Sequence, residues 1–269
     1  MRTETHLSAR LKKEIASLAL KKYRDQLGIM LIEGLRSVEA AVEAKAPIRA
    51  FVVTEEMRSD PEVERIFRGS ETPVYIASAA EMKALSDVES SPGIVAVVEI
   101  ETVPAAELHG LARILALDGL QDPGNAGTIV RAAAWFGIDA IVSGPGTVDL
   151  YNPKVVRSAM GGLWDVRQAV SEDLASTLEE MRSAGYVIYG ADVEGTSIDR
   201  WQPTVRSVLV LGNEAHGLSS VVRRVVNERI VVPGSPGRKA TESLNVGVAA
   251  GILMYEWTKN TQSPERRRG

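Results

Sequence analysis

The sequence predicts a layered α/β protein made of two consecutive units. Two observations carry that expectation. Short apolar strands alternate with helical patterns from residue 28 to 101, and a second, longer alternation begins near residue 112. A third observation separates them: Pro104 and the adjoining AAELHG interrupt the pattern and read as a linker.

In the first unit, Leu7, Leu11, Ile15, Leu18 and Leu27 recur near helical spacing, so residues 7–26 are expected to form a helix. GIMLIEG (28–34) reads as a strand and LRSVEAAVEAK (35–45) as a helix with Val38 and Val42 on one face. AFVVTE (50–55) is a strand. DPEVERIFRG (60–69) opens on an Asp cap with Pro in its first turn and closes at Gly69, the pattern of a helix. PVYIAS (73–78) is a strand, AAEMKALSD (79–87) a short helix and GIVAVVEIE (93–101) a strand.

In the second unit, ARILALDGL (112–120) is an apolar strand of the kind buried on both faces. NAGTIVRAAAWFG (125–137) is a helix ending at Gly137. DAIVSG (139–144) is a strand, PKVVRSAMGG (153–162) a helix and LWDVRQAV (163–170) a strand. SEDLASTLEEMRSAG (171–185) is a helix between a Ser cap and a Gly, succeeded by strands YVIYGAD (186–192) and SVLVLG (207–212). GLSSVVRRVVN (217–227) is a helix, RIVVPG (229–234) a strand and SLNVGVAAGILMYEW (243–257) a closing helix.

Composition removes several function classes. The 269 residues include no Cys, which excludes a disulfide scaffold, a thiolate zinc site and a Cys nucleophile. His6, His109 and His216 are the three histidines, too scattered for a poly-His metal site. No apolar run approaches the ~20 residues of a membrane span, and MRTETHLSARLKKE lacks the apolar core of a signal peptide, so a cytoplasmic protein is expected. Net charge is −4, which argues against a general nucleic-acid binder. The distribution is uneven, however. Residues 1–24 hold seven basic and two acidic side chains, Arg223, Arg224, Arg229, Arg238 and Lys239 face one Glu228, and the chain ends near Arg266-Arg267-Arg268. Such clusters serve either as solvated faces or as phosphate sites.

Three segments at strand-to-loop junctions carry candidate chemistry. In LDGLQDPGNAGTIVRAAAWFG (117–137) a strand runs into an Asp/Gly/Pro/Asn loop, with Asn125 near the helix cap and Arg131 six residues further on. Ligands of open α/β sheets bind at the carboxyl ends of strands. In VLVLGNEAHGLSSVV (208–222) an apolar strand breaks at Gly212, where a ligand can approach backbone, and Asn213 and Glu214 come next. His216, without an orienting partner, reads as a loop histidine. In IVVPGSPGRKATESLNVGVAAGILMYEW (230–257) a Gly/Pro/basic loop leads to a helix opened by Ser243-Leu244-Asn245, good capping residues. Gly247, Ala249, Ala250 and Gly251 give that helix a small face suited to close packing. No GxGxxG follows a strand, GSPGRKAT lacks P-loop spacing, and no GxSxG elbow is present.

NAGTIVRAA, LGNEAHGL and ESLNVGVAAGILMYEW, in that order, resemble the three motifs of the SpoU (TrmH-like) ribose 2′-O-methyltransferases of the SPOUT superfamily, over residues 112–257. Residues 28–100 resemble that family's L30e-like α/β/α substrate-binding domain. The resemblance implies an L30e-like domain with its N-terminal helix (1–102), a linker (103–111) and a SPOUT domain (112–269) with a parallel sheet and a deep C-terminal trefoil knot. It implies S-adenosylmethionine as methyl donor, a homodimer, and a ribose 2′-hydroxyl of RNA as acceptor. It places donor binding on Gly212, Val232 and Leu244 with neighbouring Leu211 and Asn213, and catalysis on Asn125, Arg131, Glu214, Ser243 and Asn245. PGSPGRKATE between Val232 and Ser243 is longer than the short loop expected of close relatives, which alters how the donor is covered or offers Arg238 and Lys239 to RNA.

A sulfonium-bound methyl already has a good leaving group, so the protein's task is to align a hydroxyl and ease loss of its proton. A guanidinium hardly ever deprotonates, which makes Arg131 a phosphate clamp and oxyanion stabiliser rather than a base. Glu214 is expected to orient Arg131 or Asn125, and Ser243 and Asn245 to hydrogen-bond the hydroxyl or the donor. The separate first domain favours rRNA as substrate. The alternatives are tRNA, or a non-catalytic RNA-binding ribosome-assembly factor that keeps the fold.

Overall fold

A computed structural model describes residues 4–68, 70–86, 92–237, 240 and 242–259. Arg238, Lys239, Arg266, Arg267 and Arg268, and the expected helix ends at Gly69 and Asp87, lie outside the described residues. The chain forms two compact units, one of residues 1–101 with 149–164 and the other of residues 102–148 with 165–269.

The first unit is a five-stranded sheet with helices packed on it. Its strands are β1 (Glu4–His6), β2 (Ile29–Glu33), β3 (Ile48–Thr54), β4 (Val74–Ala77) and β5 (Ile94–Glu99), in the order β1-β4-β3-β5-β2. β1, β4 and β3 run parallel, and β5 is antiparallel to both β3 and β2. The helices are α1 (Ala9–Ser17), α2 (Lys21–Leu27), α3 (Leu35–Glu43), α4 (Glu55–Arg58), α5 (Pro61–Phe67) and α6 (Ala79–Leu85). Asp60 caps α5 through the Glu62 N–H with Pro61 at the first turn, as its sequence signature requires. Ser78 and Glu81 form a reciprocal capping box on α6.

The single helix expected over 7–26 is two. Arg24, 1% exposed, donates to the Leu18 and Ala19 carbonyls at 2.6 and 3.0 Å. Those carbonyls are thereby satisfied outside a helix, and the chain turns between α1 and α2. The same guanidinium holds Asp149 through Nε at 2.9 Å and Nη2 at 2.6 Å, so the buried charge is paired. β1 and α4 are too short to show a strong periodicity, so the sequence does not announce them.

The second unit is a six-stranded, wholly parallel sheet. It contains β6 (Arg113–Asp118), β7 (Ala140–Ser143), β8 (Arg167–Val170), β9 (Val187–Ser197), β10 (Ser207–Gly212) and β11 (Glu228–Val231), in the order β11-β9-β10-β6-β7-β8. Its helices are α7 (Pro123–Phe136), α9 (Leu174–Ser183), α10 (Ser220–Val225) and α11 (Val246–Thr258). All six residues of β10 are buried, the signature of a central parallel strand covered on both faces. One core gathers Ile114, Ala116, Leu178, Met181, Val208 and Val222.

Three features differ from the sequence-based expectation. The linker stretch Ala105–Leu108 forms a 3-10 turn, and Leu108 is buried in the second unit's core. β9 runs on to Ser197 beyond its pairing with β10, because β11 continues beside it. The helix α8 (Pro153–Ala159), read from sequence as part of the second series, packs on β2 of the first unit. Its Arg157 donates to the buried Glu33 carboxylate at 3.3 Å, which Ser86 Oγ also reaches at 2.6 Å.

Candidate active site

Parallel pairing aligns Gly212 with Asp118, so β10 and β6 end side by side. Each strand runs into a loop, and polar side chains join the two loops. Asn213 donates from Nδ2 to the Gly119 carbonyl at 2.8 Å, while its Oδ1 accepts from the N–H groups of Ala215 and His216. Main-chain bonds between Asn213 and Gly217 close a tight turn, with Gly217 at φ 66°. Asp118, buried at the end of β6, accepts from the Ser219 N–H at 2.6 Å.

That turn delivers Glu214 across to the other loop. Its carboxylate accepts from Asp122 N at 2.9 Å, Gln121 N at 3.1 Å and Asn125 Nδ2 at 3.2 Å. Burial pushes the Glu214 carboxyl up. The N–H groups of Asp122, Gln121 and Glu214 itself, with the Asn125 amide, outweigh that and hold it below the usual carboxylate value. It is an anion fixed in place by donors.

Asn125 is not the cap of α7. Asp122 is, accepting from Asn125 N at 2.7 Å, with Pro123 at the first helical position. The Asp-Pro pair carried that signal in the sequence. Because Asp122 does the capping, the Asn125 side chain is available, and its Oδ1 accepts from Asn245 Nδ2 at 2.9 Å. Asn245 is the N-cap of α11, its Oδ1 accepting from Gly247 N at 2.9 Å and Val248 N at 3.2 Å. Gly247 leaves room for this cap, since a Cβ there would lie only 3.2 Å from Asn245 Oδ1. Residues 89 and 120 positions apart thus form one continuous chain, Glu214–Asn125–Asn245.

The other expected site residues do not join this chain. The Arg131 side chain is exposed on α7 and makes no hydrogen bond or ion pair among the described residues. Six residues of helix set it about 9 Å along the axis from Asn125, and Glu214 contacts Asn125 rather than Arg131. Ser243 and Leu244 are exposed beside Asn245, and Val232 is half-buried just past β11. Leu211 is fully buried, and the Asn213 side chain is engaged by the protein, so both offer main-chain groups only. A Cβ on Gly212 would sit 2.3 Å from the Gly217 carbonyl carbon; the chain's own turn makes the close approach that the sequence attributed to a ligand.

The basic clusters are only partly paired. Lys12 meets Glu81, Lys21 meets Asp25, and Arg24 is buried. Arg223 and Arg229 both bind Asp192. Arg10, Lys13, Lys22 and Arg224 have no ion-pair partner among the described residues. Among those residues no group of His, Asp and Glu could hold a metal ion, and no helix is long and apolar enough to cross a membrane.

The profile of the SpoU rRNA methylase family matches residues 112–255, which contain every residue of the Glu214–Asn125–Asn245 chain. The chain belongs to the SpoU rRNA methylase family. A second profile, the MRM3-like substrate binding domain, matches residues 11–96. Among curated relatives, the 23S rRNA (guanosine(2553)-2′-O)-methyltransferase RlmP of Bacillus subtilis is 32% identical over 90% of this chain and 94% of its own. Among solved structures, an rRNA methyltransferase from Sinorhizobium meliloti superposes with a TM-score of 0.84 at 25% identity, covering 97% of this chain and 99% of that one. The SpoU methyltransferase AviRb of Streptomyces viridochromogenes, in complex with AdoMet, gives 0.83 at 26%, covering 98% and 100%. This SpoU-family chain therefore shares its fold with these relatives over nearly its whole length.

Proposed function

We propose that the chain is an S-adenosylmethionine-dependent methyltransferase that modifies a ribose 2′-hydroxyl of ribosomal RNA. The observation that carries the reading is the Glu214–Asn125–Asn245 chain, which joins all three family motifs at the carboxyl ends of β6 and β10. RlmP is named for 23S rRNA, and so is a 23S rRNA (uridine(2479)-2′-O)-methyltransferase of Streptomyces viridochromogenes; both names support rRNA over tRNA. The methyltransferase names of these relatives support catalysis over a non-catalytic assembly factor.

The residues present fit the donor through apolar side chains and main chain. Leu244, 47% exposed, and Val232 offer the first; Gly212, Leu211 and Asn213 offer the second. When bound, the donor supplies a methyl group on a sulfonium, which leaves as a neutral thioether. Arg131, unpaired among the described residues and permanently charged, takes the RNA phosphate and stabilises the oxygen as it becomes negative. Ser243 hydrogen-bonds the hydroxyl or the donor. Residues 1–102 recognise the RNA and residues 112–269 carry the transfer, with 103–111 between them.

The proposed assembly is a homodimer and the proposed knot is a C-terminal trefoil. Trp135 of α7 is 83% exposed, and Val248, Ile252 and Tyr255 of α11, which packs on α7, are exposed as well; large exposed apolar side chains on two packed helices suit a second copy. The knot is supported by the chain's return. β11 lies at the sheet edge, yet α11 packs on α7, and Trp257 Nε1 bonds buried Ser207 Oγ at the start of β10 at 2.9 Å. The proposed place of action is the cytoplasm, with its substrate. Mapping ribose methylation in total RNA from cells with and without the protein tests the function. The reading expects one rRNA site to lose its methyl group in the deletion, and an unchanged map contradicts it.

A further inference from the structure

The loop that carries Gln121 and Asp122 to Glu214 is also held from the β7 side, by residues outside all three motifs. β7 stops pairing with β6 at Ser143, opposite Leu117, and a turn over 144–147 comes next. Gly144 N donates to the Leu117 carbonyl at 2.9 Å. A Cβ on Gly144 would lie 2.8 Å from Leu174, so a glycine is needed for the turn to sit this close. Thr147 N closes the turn on the Gly144 carbonyl at 3.2 Å.

Thr147 takes over where β7 leaves off. Its Oγ1 donates to the Leu117 carbonyl at 2.9 Å and accepts from Gly119 N at 3.2 Å. The directions are forced, because a carbonyl only accepts and a main-chain N–H only donates. The single hydroxyl hydrogen goes to Leu117, and a lone pair faces Gly119. Val148 N continues the grip, donating to the Leu120 carbonyl at 2.8 Å. From the opposite edge of β6, where β10 pairs, Asn213 holds the Gly119 carbonyl and Glu214 holds Gln121 N and Asp122 N. Gly119 itself stands at φ 70° without a side chain, so it has more freedom to leave this conformation than its neighbours. Thr147 Oγ1 is the partner that its N–H finds among the described residues.

Resting on the reading of the chain as a ribose methyltransferase, we infer that Thr147 is a positioning residue for methyl transfer. Its hydroxyl fixes Gly119, and through Gly119 the two N–H groups that hold Glu214. Gln121 and Asp122 follow Gly119 by two and three residues, and Asp122 caps α7. A rotation at Gly119 therefore moves both the donors of Glu214 and the start of the helix that carries Asn125 and Arg131. Thr147 acts through main chain alone, and the role asks for no contact with the methyl donor or the RNA. Misplacing reacting groups by about 1 Å costs on the order of 10²-fold in rate, so one hydroxyl at the root of the loop is enough to matter.

Thr147→Val keeps the shape of the side chain and removes both hydrogen bonds, whereas Thr147→Ser keeps the hydroxyl. Two readouts are taken on the whole protein. One is single-turnover methyl transfer, at saturating AdoMet, to ribosomal RNA purified from cells lacking the protein. The other is the titration of the Glu214 carboxyl by carbon-13 NMR, assigned with Glu214→Gln. The inference expects Thr147→Val to transfer about 10–10²-fold more slowly. It expects Glu214 in that variant to titrate closer to its ordinary 4.5, as the N–H groups of Gln121 and Asp122 loosen. Thr147→Ser should match wild type in both. A purely structural hydroxyl would lower the melting temperature and leave rate and titration unmoved. Wild-type rate in Thr147→Val overturns the inference. So does a slow Thr147→Val whose Glu214 titrates as in wild type, or a Thr147→Ser as slow as Thr147→Val. If Thr147→Val does not fold, Thr147→Ala, which also lacks the hydroxyl, replaces it with the same expectations. A wild-type protein that transfers nothing to RNA overturns the functional reading beneath, and the Glu214 titration then still decides whether Thr147 fixes the loop.

Discussion

The two units use buried and exposed polar groups in opposite ways. In the first unit, Arg24 with Asp149 and Glu33 with Arg157 and Ser86 are enclosed, and each ties one chain segment to another. Their hydrogen-bonding capacity is directed inward. In the second unit, Glu214, Asn125 and Asn245 sit where strands give way to loops and helices, and hold one another at the surface, where each amide nitrogen donates only one of its two hydrogens within the protein. Asp118 and Asn213 beneath them anchor the loops. Placement thus distinguishes architecture from chemistry where residue type does not, since both sets consist of polar and charged side chains.

The contrast can be broken most severely at Arg24. Replacing it with Met leaves Asp149 without its guanidinium, and breaking such a pair costs about 3–5 kcal/mol. Denaturant unfolding should show that loss, whereas a change within error would mean the pair is dispensable. At the second unit's surface the expected pattern is reversed. Arg131→Ala should leave stability intact because Arg131 has no polar partner among the described residues, while methyl transfer falls by about 10²–10³-fold, or ~3–4 kcal/mol of transition-state stabilisation. Near-normal transfer would remove Arg131 from the mechanism.

Gly212→Ala sharpens the contrast, since its Cβ would collide with the turn at Gly217 and Leu218. AdoMet affinity should fall together with a modest loss of stability, both measurable by calorimetry; unchanged values for both would show that the turn yields freely. The smallest effect concerns pH. Glu214 lies below its ordinary 4.5 in the folded chain, so its stabilising bonds are fully present above that value and fade as pH falls through the folded one. Glu214→Gln should therefore flatten the stability profile below about pH 4.5, and a profile identical to wild type would mean that its contacts do not matter.

Legibility in the sequence divides along the same line. The strands β6, β7 and β10 are readable because parallel strands buried on both faces are nearly continuous apolar runs. The three motifs are readable because Gly, Asn and Glu at strand ends are exceptional there. Three things are not. The break at Leu18–Leu20 depends on Arg24 folding back, a charged residue that reads as surface. The placement of α8 depends on Arg157 finding Glu33, 124 positions away. The role of Asn125 is blurred by its position near a helix start. Asp122-Pro123 already supplies the cap, and that pair is the signal that releases Asn125 for other work.

Incubating the purified protein with AdoMet carrying a labelled methyl group and either ribosomal RNA or tRNA from cells lacking it decides whether the chain methylates a ribose of ribosomal RNA. Nuclease digestion should then recover the label as a 2′-O-methyl nucleoside at one position of ribosomal RNA. Label on a base, label in tRNA alone, or no incorporation into either RNA would contradict the account.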